Sequence, residues 1–501
     1  MRHMNRLPPG FLPLNQIAFA VLDLRRTEAW WREGLGFLPA GGTRALFRGP
    51  VSGRIQKLPG SACTCWCLLG RNDWCQLELF QYEKPVSQLM PADYRPSDLG
   101  YSRCGVWVAD FDATLARLAR LGSEPLAAPL GVPGQRRACV RNPDGVYVEL
   151  MEQDPLPAQS ARGRQDCPVA IRSATLSTPD MDASVDFLTR GLGMREVPRQ
   201  LHEDVHEALW GLAGARCERR VFTDGSGDPT MLLELVQYRD PPGRPFPPGY
   251  RLCDQRILNV CFGDRQGSAG VMALYRRALA AGAEHNCAPL NLGITGCVYV
   301  SDPLGFSWEF MWARPGLAQR AFGFVPLPAA QRPQLDNQRV EASLHIEAAV
   351  AEVFAVLGDH RGMSDWAGFG EYRLVRRGDG EPGARAAERL LESPLGTIRE
   401  QITDWWPGRG YRYRIIAGSP FIGYWGEVRL VPEGDGTRVE WVLRFRSRIP
   451  GMGALFRVLL RRKLRAALQG LRLQVSRVRN ASPRQAVDRV SGGCEADVQG
   501  R

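Results

Sequence analysis

The chain has 501 residues, and its composition of 44% hydrophobic and 23% charged residues is that of a globular protein with about three domains. The net charge is +11, but arginines occur in every segment instead of forming one basic face, which argues against a nucleic-acid-binding protein. No run of about 18 apolar residues occurs, so we expect no membrane span.

The N-terminus and the cysteines bear on the cellular compartment. Residues 1–15 lack the apolar run and cleavage site of a secretory signal. The 13 cysteines are scattered, and the alternating cysteines at 63–67 do not have the spacing of a zinc motif. We therefore expect a cytoplasmic protein with reduced, buried thiols.

The first part of the chain is predicted to contain modules in which a strand and a helix precede three further strands. In the first module, a buried strand at 14–23 leads to an amphipathic helix that ends at Gly34, and the last strand carries Glu78. The second module has a strand at 103–109 and a helix at 112–121, and it also ends in a strand with a glutamate.

This pattern then repeats along the chain. The sequence Leu-Glu-Leu-Phe-Gln-Tyr at 77–82 returns as Leu-Glu-Leu-Val-Gln-Tyr at 233–238, and a Gly-Leu-Gly turn precedes both copies. The repetition predicts four related modules in two pairs. Each module has one glutamate in its last strand: Glu78, Glu149, Glu234 and Glu309.

The C-terminal part follows a different pattern. A strand at 339–346 and a helix at 349–357 precede at least five strands, and a long basic amphipathic helix at about 452–478 closes the segment. We expect the leucines of this helix to pack on its own sheet and not on an anionic membrane. The tail at 481–501 lacks apolar periodicity, which predicts disorder.

The four glutamate-ended modules resemble the vicinal oxygen chelate superfamily, which includes glyoxalase I, bleomycin-resistance proteins and extradiol dioxygenases. The resemblance implies an α+β fold with two tandem domains at 12–155 and 168–315. Each domain is then expected to pair two βαβββ modules around a metal.

The segment 338–480 resembles the polyketide-cyclase/START-like (SRPBCC, helix-grip) family. The resemblance is carried by residues spread over the segment, among them Asp365-Trp366, Arg399-Glu400 and Asp435-Gly436-Thr437 leading to Trp441. It implies a curved sheet around the long helix with an apolar ligand cavity between them. The residues predicted to line that cavity are aromatic: Trp366, Tyr411, Tyr413 and Trp441.

The superfamily takes metal ligands from the first and last strand of each module, and no histidine stands at the first-strand positions. In the first domain this gives the set Gln16, Glu78, Arg103 and Glu149. We predict that this set binds a ligand without a metal, because the guanidinium of Arg103 has no lone pair to offer to a cation. In the second domain the equivalent set is Ser173, Glu234, Asn259 and Glu309. Two interpretations of this set remain open: it binds a divalent metal weakly, or it forms a hydrogen-bonded polar cluster without a metal.

One further motif is His-Glu-x-x-His at 202–206. On a helix this spacing aims two imidazoles at one zinc ion, as in metalloproteases. No third ligand is evident downstream, and the segment that follows the motif is predicted to cover the cupped sheet of its domain. We therefore do not expect peptidase chemistry.

Three functions remain open from the sequence. The first is binding or sequestration of a small hydrophobic or aromatic metabolite, without a cofactor. The second is an enzyme of the superfamily, a lyase, isomerase, cyclase or dioxygenase, in which Glu234 and Glu309 act as catalytic residues. The third is a scaffold with filled cavities. No nucleic-acid partner is expected, and a homodimer is one outcome for the oligomeric state.

Overall fold

The computed structural model describes residues 11–42, 47–335, 337–393 and 396–491. The chain divides into two compact units, Met1–Pro333 and Gln334–Arg501. Within the described ranges no helix is both long and apolar enough to cross a membrane. The α+β class predicted from the sequence is confirmed in both units.

The first two modules contain the predicted order of strand, helix and further strands. The first comprises β1 (Leu14–Val21), α1 (Leu24–Ala29) continued by a π-helical turn (Trp30–Leu35), β2 (Leu38–Gly41), α2 (Pro50–Ile55), β3 (Ala62–Leu69) and β4 (Gln76–Lys84). The second comprises β5 (Gly100–Val108), α3 (Phe111–Arg120), β6 (Arg137–Arg141) and β7 (Tyr147–Met151), and α4 (Pro157–Arg162) follows it.

The third and fourth modules repeat this order. The third comprises β8 (Val169–Ser177), α5 (Met181–Asp186) with a π-helical turn (Phe187–Gly191), β9 (Arg195–Val197), a 3-10 segment (Asp204–Trp210), β10 (Arg216–Thr223) and β11 (Leu232–Asp240). The fourth comprises β12 (Arg256–Asp264), α6 (Ser268–Ala280), β13 (Glu284–His285), β14 (Leu290–Asn291), β15 (Thr295–Ser301) and β16 (Ser307–Ala313), and α7 (Leu317–Ala321) follows it.

An aspartate begins the first helix in three of the four modules. The carboxylates of Asp23, Asp110 and Asp180 each accept a hydrogen bond from the backbone N–H three residues further on. This contact satisfies one of the N–H groups that a helix start leaves unpaired. The turn from strand to helix is therefore encoded locally and repeats with the module.

The pairing of modules differs from the prediction. One sheet has the order β13-β15-β16-β12-β1-β4-β3-β2, with β14 beside β15, and so joins the first and fourth modules. The other has the order β6-β7-β5-β8-β11-β10-β9 and joins the second and third. The predicted division between 155 and 168 thus falls inside one sheet, and the expected pairing of sequence neighbours is wrong.

In each sheet the two modules are joined through their first strands. First strands meet antiparallel in both sheets, β1 beside β12 and β5 beside β8. Each first strand also lies parallel to the last strand of its own module, as β1 does to β4. Because all four modules share this pattern, the repeat itself does not specify which first strands will meet.

The described part of the second unit is a seven-stranded antiparallel sheet with three helices. Its elements are β17 (Gln338–Ile346), α8 (Val350–Leu357), α9 (Met363–Trp366), β18 (Glu371–Arg376), β19 (Glu388–Ser393), β20 (Gly396–Trp406), β21 (Gly410–Ala417), β22 (Phe421–Glu433), β23 (Gly436–Ser447) and α10 (Gly453–Ser491). The strand order is β17-β23-β22-β21-β20-β19-β18.

The long helix packs on its own sheet, as predicted. Leu464, Leu468 and Leu471 on α10 are buried together with Trp441 on β23. The described helix runs to Ser491, past the predicted end at about 478. The disorder predicted for 481–501 stays a prediction. Residues 492–501 lie outside the described residues.

Candidate functional site

The first and fourth modules place four polar side chains on one face of their shared sheet, and we call this face the first cup. Gln16 lies on β1 and Glu78 on β4, opposite Ala18. Asn259 on β12 also pairs with Ala18, and Glu309 on β16 pairs with Cys261. Because paired neighbours in a sheet point to the same side, these side chains face one another across the seam.

An open cavity of about 360 Å³ lies over this face. The polar residues that line it include one arginine, Arg48, which is paired with Glu83. The other polar lining residues are Gln16, Ser52, Gln56, Gln76, Glu78, Thr295, Tyr299 and Glu309. The rest of the wall is largely apolar: Phe47, Val51, Ile55, Leu290, Leu292, Met311 and Phe322. A concave apolar wall with a few convergent polar groups is the usual form of a small-molecule site.

The two carboxylates of the first cup share one amide. Nε2 of Gln16 donates to Glu78 and, over 3.2 Å, to Oε2 of Glu309. Burial raises the pKa of Glu78 to about 7, and the thiol of Cys65, which donates to Glu78, lowers it only in part. Burial and then the charge of Glu78 raise the pKa of Glu309 well above its usual range.

Neither carboxylate has an arginine or lysine partner among the described residues. A buried carboxylate without a cation is stable only if it holds a proton or receives strong hydrogen bonds. The amide of Asn259 is fully buried, and neither its Oδ1 nor its Nδ2 has a hydrogen-bond partner in the described part of the chain. The first cup therefore contains buried polar groups that a cation or a hydrogen-bonding ligand could bind.

The second and third modules form the second cup, which is filled by a side chain. The imidazole of His202 lies between two carboxylates, with Nε2 2.7 Å from Oε2 of Glu149 and Nδ1 2.7 Å from Oε1 of Glu234. Burial opposes the charged imidazole, but the two carboxylates more than offset this and raise the pKa of His202. The charges that would hold a metal are thus already paired.

Guanidinium groups complete this network. Arg103 donates to Glu234 over 3.0 Å and lies over the ring of Trp210, and Arg137 donates to Glu149 over 2.6 Å. The side chains of Glu149 and Glu234 are almost fully buried. A buried carboxylate needs such partners, so the second cup is a satisfied ion-pair cluster.

The predicted ligand sets are regrouped by the pairing of the modules. The structure brings Gln16 and Glu78 together with Glu309, and it brings Arg103 and Glu149 together with Glu234. Asn259 belongs to the first cup, whereas Ser173 lies in the second sheet opposite Gly105. The predicted metal set of Ser173, Glu234, Asn259 and Glu309 is therefore divided between two sheets and cannot bind one ion. The guanidinium of Arg103 is paired with Glu234, so it belongs to the second cup and not to a set with Gln16 and Glu78.

The His-Glu-x-x-His motif is not arranged as a zinc site. His202 is held by two carboxylates, and Nδ1 of His206 accepts a hydrogen bond from the backbone N–H of Glu203. The motif supplies the imidazole that the first strands lack, but from the segment before the 3-10 turn. Its role in the second cup was not foreseen, because sequence spacing does not show which sheet it covers.

In the second unit all four predicted ligand-binding aromatics lie in the buried core: Trp366, Tyr411, Tyr413 and Trp441. The indole N–H of Trp441 donates to the hydroxyl of Tyr413 over 3.1 Å. Sequence analysis did not identify the polar cluster beside them. There Arg389 donates to Glu400 over 2.7 Å and to Nδ1 of His360 over 3.0 Å.

Comparison with known families assigns both parts of the chain. Residues 15–140 match the family described as Glyoxalase/Bleomycin resistance protein/Dioxygenase superfamily. Residues 337–491 match the family described as Polyketide cyclase / dehydrase and lipid transport. The chain therefore contains a domain of each family, which confirms both resemblances. No curated protein matches the chain.

Solved structures similar to this chain include proteins from three organisms. Glyoxalase I from Zea mays is 17% identical, with 60% of this chain and 92% of that chain covered and a TM-score of 0.41. A candidate dioxygenase from Bacillus subtilis is 11% identical, with coverages of 63% and 90% and a TM-score of 0.43. A protein from Thermus thermophilus is 24% identical, with coverages of 28% and 98% and a TM-score of 0.24.

Proposed function

We propose that the first cup binds a small, largely apolar ligand whose polar end is cationic or donates hydrogen bonds. The main evidence is the pair of buried carboxylates, Glu78 and Glu309, in a cavity with largely apolar walls. A ligand ammonium or hydroxyl would satisfy both acceptors, and the apolar walls would bury its carbon skeleton. The second cup is excluded because His202 and the guanidiniums occupy it.

A catalytic role in the first cup is the second candidate. A carboxyl group with a raised pKa in a cavity, such as Glu78, is suited to proton transfer near neutral pH. In this reading Glu78 and Glu309 are the acid–base pair. Glu234, which the sequence suggested for catalysis, is instead bound to His202 and Arg103.

The glyoxalase superfamily also implies a divalent metal, and the first cup fits one in part. Glu78 and Glu309 supply carboxylate oxygens, and the partnerless amide of Asn259 supplies a neutral oxygen. The amide of Gln16 can turn either its oxygen or its nitrogen to the carboxylates. Such an oxygen set suits a hard ion, which would polarise oxygen atoms of a substrate.

The ligand hypothesis is tested with two probes that share a ring system and differ in charge, naphthylmethylamine and naphthylacetate. Calorimetric titration of the full chain should show the amine binding at least about 10-fold more tightly, which corresponds to about 1.4 kcal/mol. Glu309→Gln should weaken this preference, because it removes one of the two carboxyl groups that can ionise opposite the ammonium and keeps the shape. Native mass spectrometry of the purified chain should show any copurified ligand.

The matched control is Glu284→Gln, a substitution in the same module at an exposed residue outside the cavity. It should leave the preference unchanged. Equal binding of both probes, or binding of the acetate alone, would contradict the proposed function.

A further inference from the structure

The first cup contains a second group of potential ligands beside the carboxylate pair. Cys65 and Cys67 alternate on β3, so both thiols point to the face that carries Glu78. Sγ of Cys65 lies 3.9 Å from Sγ of Cys67 and 3.1 Å from Oε1 of Glu78. One ligand atom from each of the three residues lies within 4.8 Å of the other two, and all three residues are buried.

These distances match those around a small tetrahedral cation. Zinc–sulfur bonds of about 2.3 Å at tetrahedral angles place two thiolate sulfurs about 3.8 Å apart. The separation of the two sulfurs in the structure, 3.9 Å, agrees with this value. The thiols therefore need little movement to bind one ion.

A fourth donor lies close by. Oε1 of Gln76 is buried and has no hydrogen-bond partner among the described residues. A β-carbon built on Gly323 would lie 2.6 Å from Sγ of Cys67 and 3.0 Å from Oε1 of Gln76, so both atoms face the same point of the chain. The partnerless oxygen is an observation independent of the thiols, and Glu78 and Gln76 both line the cavity through which an ion would enter.

The position of Cys65 in the first cup is occupied by an arginine in the second cup. Cys67 is paired with Glu78 between β3 and β4, and Cys139 is paired with Glu149 at the same position between β6 and β7. Two residues earlier on these strands stand Cys65 and Arg137. Arg137 supplies a positive charge to Glu149, whereas the thiol of Cys65 supplies none to Glu78.

We propose that Cys65, Cys67 and Glu78 bind a thiophilic divalent cation, with Zn²⁺ as the first choice. Thiolates select such ions over magnesium or calcium. Binding releases both thiol protons, including the one that Cys65 donates to Glu78, and the ion supplies the charge that Arg137 provides in the second cup. The fourth position is taken by Gln76 or by a molecule from the cavity. This site shares Glu78 with the proposed ligand cavity, but its two thiols take no part in that function, so metal binding can be tested on its own.

The test is metal binding by the full chain after treatment with a chelator. Cobalt(II) and zinc are added alone, and cobalt should give an intense near-ultraviolet absorption from thiolate coordination. We expect one zinc per chain and a loss of affinity of about 100-fold or more in the double variant Cys65→Ser, Cys67→Ser. Cys139→Ser is the matched control, because it removes a buried thiol at the equivalent strand position, and it should bind zinc like the unaltered chain.

A measurement on the unaltered chain guards against misfolding of the double variant. X-ray absorption of the zinc-loaded chain should show two sulfur neighbours at about 2.3 Å. Each of three results would overturn the proposal. The first is zinc with only oxygen and nitrogen neighbours, and the second is no retained metal. The third is cobalt binding that is lost in Glu309→Gln but kept in the double variant. Titration of the metal-free samples with naphthylmethylamine reports separately on the proposed ligand function.

Discussion

Nδ1 of His202 lies 2.7 Å from the carboxylate of Glu234, in the centre of the second cup. The first cup has a cavity instead, and its described lining residues include no histidine. The two sheets are built from the same module, so this single side chain is a main difference between a filled cup and an open one.

We expect His202→Ala to destabilise the first unit by about 3–5 kcal/mol, because it leaves Glu149 and Glu234 buried with one partner fewer. His206→Ala should cost about 1 kcal/mol or less, since His206 accepts only a capping hydrogen bond. Denaturant unfolding of both variants measures the difference. Equal effects would contradict the role of His202 as the bridge between the carboxylates.

The two units should respond to pH in opposite directions. The pKa of His202 is raised above 6.5, so its stabilisation is present at low pH and is lost as pH rises through the pKa in the folded protein. The pKa of His360 is lowered to about 3, by burial and then by Arg389. Folding of the second unit therefore weakens as pH falls below about 6.5, by about 2 kcal/mol at about pH 5.

Hydrogen exchange, corrected for its intrinsic pH dependence, measures this separately in each unit. Strands β20 and β21 should lose protection between about pH 7 and about pH 5, whereas β8 and β11 should keep it. Loss of protection in β8 and β11 alone would have the wrong sign.

We expect Glu309→Gln to stabilise the chain in the absence of ligand and metal. The folded protein holds the proton of Glu309 more tightly than the unfolded chain does, so the carboxyl group costs stability as pH rises above its usual pKa. Glutamine keeps the shape without this cost. The gain should be about 1–3 kcal/mol at about pH 8 and near zero at about pH 4. Thermal unfolding at both pH values measures it, and destabilisation at the higher pH would indicate that Glu309 has a cationic partner.

We expect Asn259→Leu to be neutral or to stabilise the chain by about 1 kcal/mol, because both polar atoms of this buried amide lack partners in the described structure. The matched control is Asn72→Leu. Asn72 is equally buried but donates to the backbone carbonyls of Ile171 and Thr230 and accepts from Arg172. It should cost about 2–4 kcal/mol. If both substitutions cost the same in denaturant unfolding, then the amide of Asn259 is satisfied in solution.

Much of the candidate site was predictable residue by residue. The repeated Leu-Glu-Leu pattern correctly places Glu78 and Glu234 in last strands, and the first-strand positions of Gln16 and Asn259 follow from the same alignment. The alternation of Cys65 and Cys67 is visible in the sequence, but by itself it indicates only buried thiols. Nothing in the sequence indicated that these thiols would lie beside a carboxylate without a cation.

The sequence by itself determined the four modules, their helix caps and the sheet-and-helix second unit, because these depend on periodicity and on contacts between near neighbours. Only the tertiary structure decided that the first module pairs with the fourth and the second with the third. That choice depends on contacts between strands such as β1 and β12, which are far apart in the chain and similar in all four modules. The same choice put His202 between Glu149 and Glu234 and left Glu78 and Glu309 facing an open cavity.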